Sequence, residues 1–369
     1  MPRYPPTVTG LAERLAKRTL ELVDIPSESR HEAEIREYLM ALVPGGLSAD
    51  YARDEAYLFV PERRAHAPLV VLAGHYDTIP AQDNLPGRIA GDAVRGLGAS
   101  DMKGGLAVAL ELVRDLAGET PGPYDIALLL FGREELSAEH NPLPALLAGS
   151  RAVHDAALAI LLEPTDGQVQ AGCLGHLTAT LAFRGISGHS ARPWQADNAI
   201  ERAIAGLAPV LAHEPRDALV GGLVFREVLS VTRLVAGTAD NVIPDLAVAT
   251  LSFRYAPDRQ PIDAEHHLRS LLGEGAEIEI TGNSAPGAVA SGNPLVRSLL
   301  AAGARGIEPK QAWTNVADFT ANGIDAINFG PGHTAQAHRR DEHVEVAALL
   351  HAYETLRRFL AGPMGEDAR

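Results

Sequence analysis

Five short segments carry histidine or carboxylate groups at the edges of apolar, strand-like runs: His75-Tyr76-Asp77, Asp101 within 98–105, Glu134-Glu135, Glu163 in Leu162-Glu163-Pro164, and His338 in Ala337-His338-Arg339-Arg340-Asp341-Glu342. Projected from a rigid sheet into one cleft, such a donor set suits divalent cations and metal-assisted hydrolysis. In His75-Tyr76-Asp77 the one-residue gap fits a ligating His whose other ring nitrogen is gripped by a carboxylate. Taken alone, the same three residues also fit a strand-end His and an Asp capping a turn. Asp101 follows a glycine-rich turn and precedes Gly104-Gly105. A carboxylate on such a turn can bridge two cations, one oxygen to each, or cap the helix that follows.

Glu134-Glu135 is the sharper signal. Adjacent acids at the end of an apolar strand repel unless a cation or a shared proton offsets them. One can ligate metal while the other, unligated, takes a proton from water. Pro164 holds Glu163 in extended backbone. His338 has a rival in His333, within Gly330-Pro331-Gly332-His333, which reads as a loop histidine.

These groups need a scaffold. Apolar runs at 69–74, 125–132 and 156–162 alternate with helical spacing at 9–23, 31–42, 102–116 and 144–150. Alternation of buried strands with helices predicts an α/β fold with a mostly parallel sheet, whose ligands sit beyond the carboxyl ends of the strands. From about residue 177 the pattern changes. Strands at 178–183, 228–235 and 246–255 alternate in polarity, with helices at 198–211 and 261–272, predicting a small antiparallel α+β, ferredoxin-like domain. The α/β pattern resumes with a helix at 294–304, an apolar run at 324–329 and a last helix at 344–360. The expected division is 1–176 with 291–369 for the larger domain, and 177–290 for the insertion.

The chain has 369 residues, 46% hydrophobic and 21% charged, enough apolar material for two cores. A formal charge of −15 argues against nucleic acid and anionic membranes as partners. One cysteine, Cys173, excludes an internal disulfide and fits a reducing cytoplasm. Met1-Pro2-Arg3-Tyr4-Pro5-Pro6 lacks the pattern of a signal peptide. Gly96-Leu97-Gly98-Ala99-Ser100-Asp101 only grazes a dinucleotide fingerprint, and Gly185-Ile186-Ser187-Gly188-His189 lacks the last glycine of a nucleophile elbow.

In order and spacing the motifs resemble the M20 family of metallopeptidases and deacylases. The resemblance spans nearly the whole chain and includes Gly74-His75-Tyr76-Asp77-Thr78, Asp101-Met102-Lys103-Gly104, Glu134-Glu135, Glu163-Pro164-Thr165, Gly188-His189-Ser190-Ala191-Arg192, Asp240-Asn241-Val242-Ile243-Pro244, Phe253-Arg254-Tyr255 and the segment around His338. It implies two zinc ions, with cobalt or manganese as substitutes. His75, Asp101 and Glu163 would hold one and Asp101, Glu135 and His338 the other, with Asp77 orienting His75 and Glu134 as general base. It further implies a lid and homodimerisation domain that offers His189, with Asn241 beside it, to a neighbouring site. Arg254 matches a position that binds a substrate carboxylate, and Thr314 lies in the segment near the acyl pocket. Within the family the chain is most similar to actinobacterial-type desuccinylases, which implies cleavage of N-succinyl-LL-2,6-diaminopimelate. Acetylornithine deacetylase, aminoacylase and dipeptidase activities are the alternatives, with a non-catalytic metal- or ligand-binding relative as the reading from another class. Two departures bear on the acyl group: Cys173-Leu174 stands where many desuccinylases carry paired basic residues, and Asp318 where a basic residue is common.

Overall fold

The computed structural model describes residues 6–272 and 275–362. The chain divides into two compact units, one of Met1–Ala171, Ala290–Glu308 and Asp318–Arg369, the other of Gly172–Val289 and Pro309–Ala317. Against the boundaries expected at 177 and 290, the second unit starts a few residues earlier and takes in Pro309–Ala317, which contains Thr314.

Four parallel strands form the middle of the first unit's sheet, in spatial order Asp125–Phe131, Leu69–His75, Ala156–Leu161 and Ala326–Asn328. Ala56–Pro61 and Leu47–Arg53 extend it on one side through antiparallel pairings, and Val169–Cys173, antiparallel to Ala326–Asn328, is followed by Ile307–Lys310 on the other. All seven residues of Leu69–His75 are buried, as expected of a strand covered on both faces. Helices Pro6–Val23, Gly104–Leu116, Pro294–Ala302 and Val346–Ala361 pack together beside it. The last buries Leu349, Tyr353, Leu356 and Leu360, a stripe of helical period. Helix Gly104–Leu116 lies very close to the sheet. A Cβ on Gly105 would stand 2.2 Å from the Leu162 carbonyl oxygen, so only glycine permits this approach. Buried Glu111 ties the same helix to Pro6–Val23 through Arg14 Nε at 2.8 Å and Arg18 Nε at 2.9 Å.

The second unit is an antiparallel sheet of five strands, ordered Arg216–Val220, Leu223–Ala236, Leu246–Tyr255, Gly175–Arg184 and Glu277–Ser284. Alternate residues Leu177, Ala179, Leu181 and Phe183, with Ala247, Ala249, Leu251 and Phe253, face a core closed by helices Ala199–Leu211 and Pro261–Leu272. The strand Arg216–Val220 adds to the expected pattern. It joins its neighbour through Gly221-Gly222, both at positive φ, the geometry of a tight two-residue hairpin. Among the described residues no helix is long and apolar enough to cross a membrane.

Candidate metal centre

The carboxyl ends of the parallel strands converge on one cluster. His75 is the last residue of Leu69–His75; Glu134 and Glu135 follow Asp125–Phe131, and Glu163 follows Ala156–Leu161. The segment after Ala326–Asn328 leads to His338. Asp101 arrives from a tight turn at Ala99–Lys103, entered through Gly98 at φ 77°. Two sets of donors, His75/Asp101/Glu163 and Asp101/Glu135/His338, each bring ligand atoms within 4.8 Å of one another, as does His75/Glu134/Glu135. Asp101 is common to the first two, and its oxygens diverge. Oδ1 lies 3.2 Å from His75 Nε2, and Oδ2 lies 3.8 Å from His338 Nε2. Glu163 Oε1 is 3.9 Å from His75 Nε2 and Glu135 Oε2 is 3.0 Å from His338 Nε2. Histidine and carboxylate donors at such spacings fit hard-to-borderline divalent cations.

Asp77 is completely buried behind His75, with Oδ1 at 3.4 Å from its Nδ1. Its carboxylate also accepts the backbone N–H groups of Glu134 at 3.1 Å and Glu135 at 3.2 Å, and the Ser29 hydroxyl at 2.6 Å. It therefore sets the path of the Glu134-Glu135 main chain as well as the imidazole. That path leaves the sheet through Arg133, in the left-handed region at φ 63°. Ahead of it, Gly132 passes so close to the Tyr76 ring that a Cβ would meet Cε2 at 2.9 Å.

The electrostatics are those of acids crowded around two histidines. Burial drives the Glu134 carboxyl well above the ordinary range; His75 opposes this, and Glu163, Glu135 and Asp101 add to it. Burial works against a charged His75, yet its bonds to Asp101 and Asp77 hold it well above the usual histidine value. His338 is raised to about 9, chiefly by its hydrogen bond to Glu135. Burial opposes ionisation of Asp77, but His75, Ser29 and the Glu134 N–H outweigh it and keep the carboxyl low. Glu342 is pushed up to about 7 by burial, against three N–H bonds from Asp101, Gly98 and Ser100.

The other expected site residues lie in the second unit. His189 and Asn241 meet there: Gly188–His189 pairs with Val242–Ile243, and the Ser190 N–H donates to the Asn241 carbonyl at 3.0 Å. His189 Nδ1 accepts the Ala191 N–H at 3.1 Å, which leaves Nε2 outward on an exposed side chain. Arg254 is half-buried, opposite His176 on the neighbouring strand, and among the described residues it has no ion-pair partner. Burial lowers its pKa. Thr314 is buried, and among the described residues its hydroxyl has no hydrogen-bond partner. Asp318, in the first unit, accepts the Asn141 side-chain amide at 2.8 Å. His333 stays out of the donor sets and caps the short helix Thr334–Gln336 through Nδ1 and the Ala335 N–H. Ser29 and Glu342 were not singled out from the sequence as site residues, although Glu342 stands in the His338 segment.

Comparison with known proteins gives this geometry a context. Residues 71–362 match the model of peptidase family M20/M25/M40. A Corynebacterium glutamicum succinyl-diaminopimelate desuccinylase is 35% identical over 353 residues, covering 93% of this chain and 95% of the relative. A Mycobacterium tuberculosis protein provisionally named succinyl-diaminopimelate desuccinylase is 38% identical over 347 residues, covering 93% and 97%. Among solved structures, a Staphylococcus aureus tripeptidase superposes with a TM-score of 0.74 at 18% identity, over 95% of this chain and 98% of that one. A dinuclear metal-binding peptidase of family M20 from Bacillus subtilis gives 0.71 at 14% identity, over 96% and 98%. The fold is thus that of M20 peptidases, and the chain belongs to peptidase family M20/M25/M40.

Proposed function

We propose that this amide hydrolase works with two divalent cations and cleaves N-succinyl-LL-2,6-diaminopimelate to succinate and LL-2,6-diaminopimelate. The observation that carries the two-cation reading is Asp101, whose oxygens diverge toward His75 and His338. The substrate reading rests on the names of relatives 35–38% identical over 93% of the chain.

His75, Asp101 and Glu163 would hold one cation and Asp101, Glu135 and His338 the other, zinc being the ion proposed, with cobalt or manganese as substitutes. When bound, the pair supplies Lewis acidity, lowering the pKa of water and polarising the amide carbonyl. Asp77 fixes His75 and the Glu134-Glu135 main chain together. Glu134 belongs to neither proposed set, so its carboxylate takes a proton from the attacking water. As the C–N bond breaks it delivers that proton to the leaving nitrogen. His189, with Asn241 beside it, donates to the oxyanion from a second copy of the chain, and Arg254 binds a substrate carboxylate with Thr314 nearby. Homodimerisation through the second unit is supported by Ile204 and Leu211, 63% and 74% exposed on helix Ala199–Leu211. A small anionic substrate and one buried thiol fit a cytoplasmic enzyme.

The test pairs Glu134→Ala with Glu135→Ala in purified protein. Glu134→Ala is expected to keep two cations and lose about 10²–10⁴ in turnover, whereas Glu135→Ala loses a cation as well. Full activity in Glu134→Ala refutes the base assignment. A panel of N-succinyl-diaminopimelate, N-acetylornithine and dipeptides, compared by kcat/KM, decides the acyl group.

A further inference from the structure

We propose that Glu342 is a positioning residue that sets the Asp101 carboxylate and couples both donor sets through it. The inference rests on the two-cation reading above. Glu342 lies four residues beyond His338, and its side chain is buried. It stands in none of the donor sets. Its oxygens are instead directed at the main chain of the Asp101 turn. Oε2 accepts the Gly98 N–H at 2.9 Å, and Oε1 accepts the Ser100 N–H at 2.9 Å and the Asp101 N–H at 3.0 Å. Gly98, at φ 77°, lets these N–H groups converge on one anion as an anion-binding nest. The Glu342 carbonyl accepts the Gly96 N–H at 3.1 Å, so main chain and side chain grip the same turn.

The consequence is mechanical. The turn cannot rotate without breaking three charge-assisted hydrogen bonds, and any rotation moves both oxygens of Asp101 at once. One of those oxygens faces His75 and the other His338, so the turn's position enters both sets. The loop on the other side of the brace is constrained as well. His338 sits in the left-handed region at φ 61°, and its carbonyl accepts Gln82 Nε2 at 3.1 Å. With its oxygens occupied by N–H donors, Glu342 acts through Asp101 and touches no reacting atom.

Glu342→Gln tests this, because the amide keeps the shape but turns one acceptor into a donor facing an N–H. Metal-free wild type and variant are titrated with Zn²⁺ against a chromophoric chelator, and with Co²⁺ by its visible absorption. Circular dichroism and urea unfolding of the metal-free proteins report the fold. The expected result is a folded variant in which both cation affinities fall about 10–100-fold and the Co²⁺ spectrum changes. Wild-type affinity at both sites overturns the proposal, whatever the change in stability, and so does a loss confined to one site. Glu342→Asp, shorter by one methylene with the charge retained, is read in the same way. Hydrogen exchange on the metal-free wild type needs no variant: slow amides across 98–101 are expected, and fast exchange there overturns the brace. A wild type that binds no cation refutes the metal centre itself, which separates the two failures.

Discussion

Ser29→Ala isolates the support behind Asp77. Ser29 lies between the first two helices, where its N–H donates to the Thr78 carbonyl at 3.1 Å and its hydroxyl to Asp77 Oδ2 at 2.6 Å. Alanine retains the backbone bond and removes the hydroxyl. Asp77 Oδ2 then keeps the Glu135 N–H at 3.2 Å, in a carboxylate with no exposed surface. A buried hydrogen bond to a charged group is worth about 1.5–3 kcal/mol, and the remaining donors recover part of that. A net loss of about 2 kcal/mol is expected, roughly 30-fold in the folding equilibrium. An ordinary surface substitution stays within about 0.5 kcal/mol, so the two cases are separable. The loss also loosens the groups that Asp77 positions. Metal affinity and kcat are expected to fall about 10-fold or more, with KM nearly unchanged. Urea unfolding of the metal-free protein, chelator competition and steady-state kinetics measure the three effects, and Ser29→Thr restores the hydroxyl. Stability within about 0.5 kcal/mol of wild type together with unchanged metal affinity would refute the reasoning.

Two further predictions concern the second unit. Arg254→Met is expected to raise KM for an N-succinyl substrate about 10–100-fold, since a charged hydrogen bond is lost, while kcat changes less; an unchanged KM removes Arg254 from the substrate site. Buried Glu227 accepts Arg216 at 2.6 Å, Arg259 at 2.8 Å and the Ala256 N–H at 3.0 Å. Burial alone would raise its pKa, but these partners outweigh it and bring the carboxyl to about 2. Because the folded value lies below the ordinary one, the ionised pair stabilises fully above about pH 4.5 and loses its effect as pH falls toward 2. Glu227→Gln is therefore expected to cost about 2 kcal/mol at pH 7, and the gap to wild type narrows below about pH 4 in urea titrations. A gap that stays constant from about pH 7 to about pH 3 contradicts this.

What the sequence discloses depends on whether a signal is local. The candidate donors His75, Glu134, Glu135 and Glu163 were legible because each is a chemically marked residue at the end of an apolar run, and in a parallel sheet such ends share one edge; Asp101 and His338 come from a turn and a loop and were legible only through the motifs around them. The hairpin of Arg216–Val220 with Leu223–Ala236 was equally legible in Gly221-Gly222, a strong two-residue turn signal that the strand pattern at 228–235 obscured. The hairpin of Leu47–Arg53 with Ala56–Pro61 was not. Its turn residues, Asp54 and Glu55, both take positive φ, and Glu has no preference for that region. Acids that grip remote main chain leave even less trace. Asp77 and Glu134 are 57 residues apart, and Glu342 and Asp101 are 241 apart. A backbone N–H donor has no residue identity, so no spacing or residue type in the Asp101 turn announces that an acid must reach it. The candidate donors could therefore be named from one dimension, while the bonds that hold the turns around them became visible only in three.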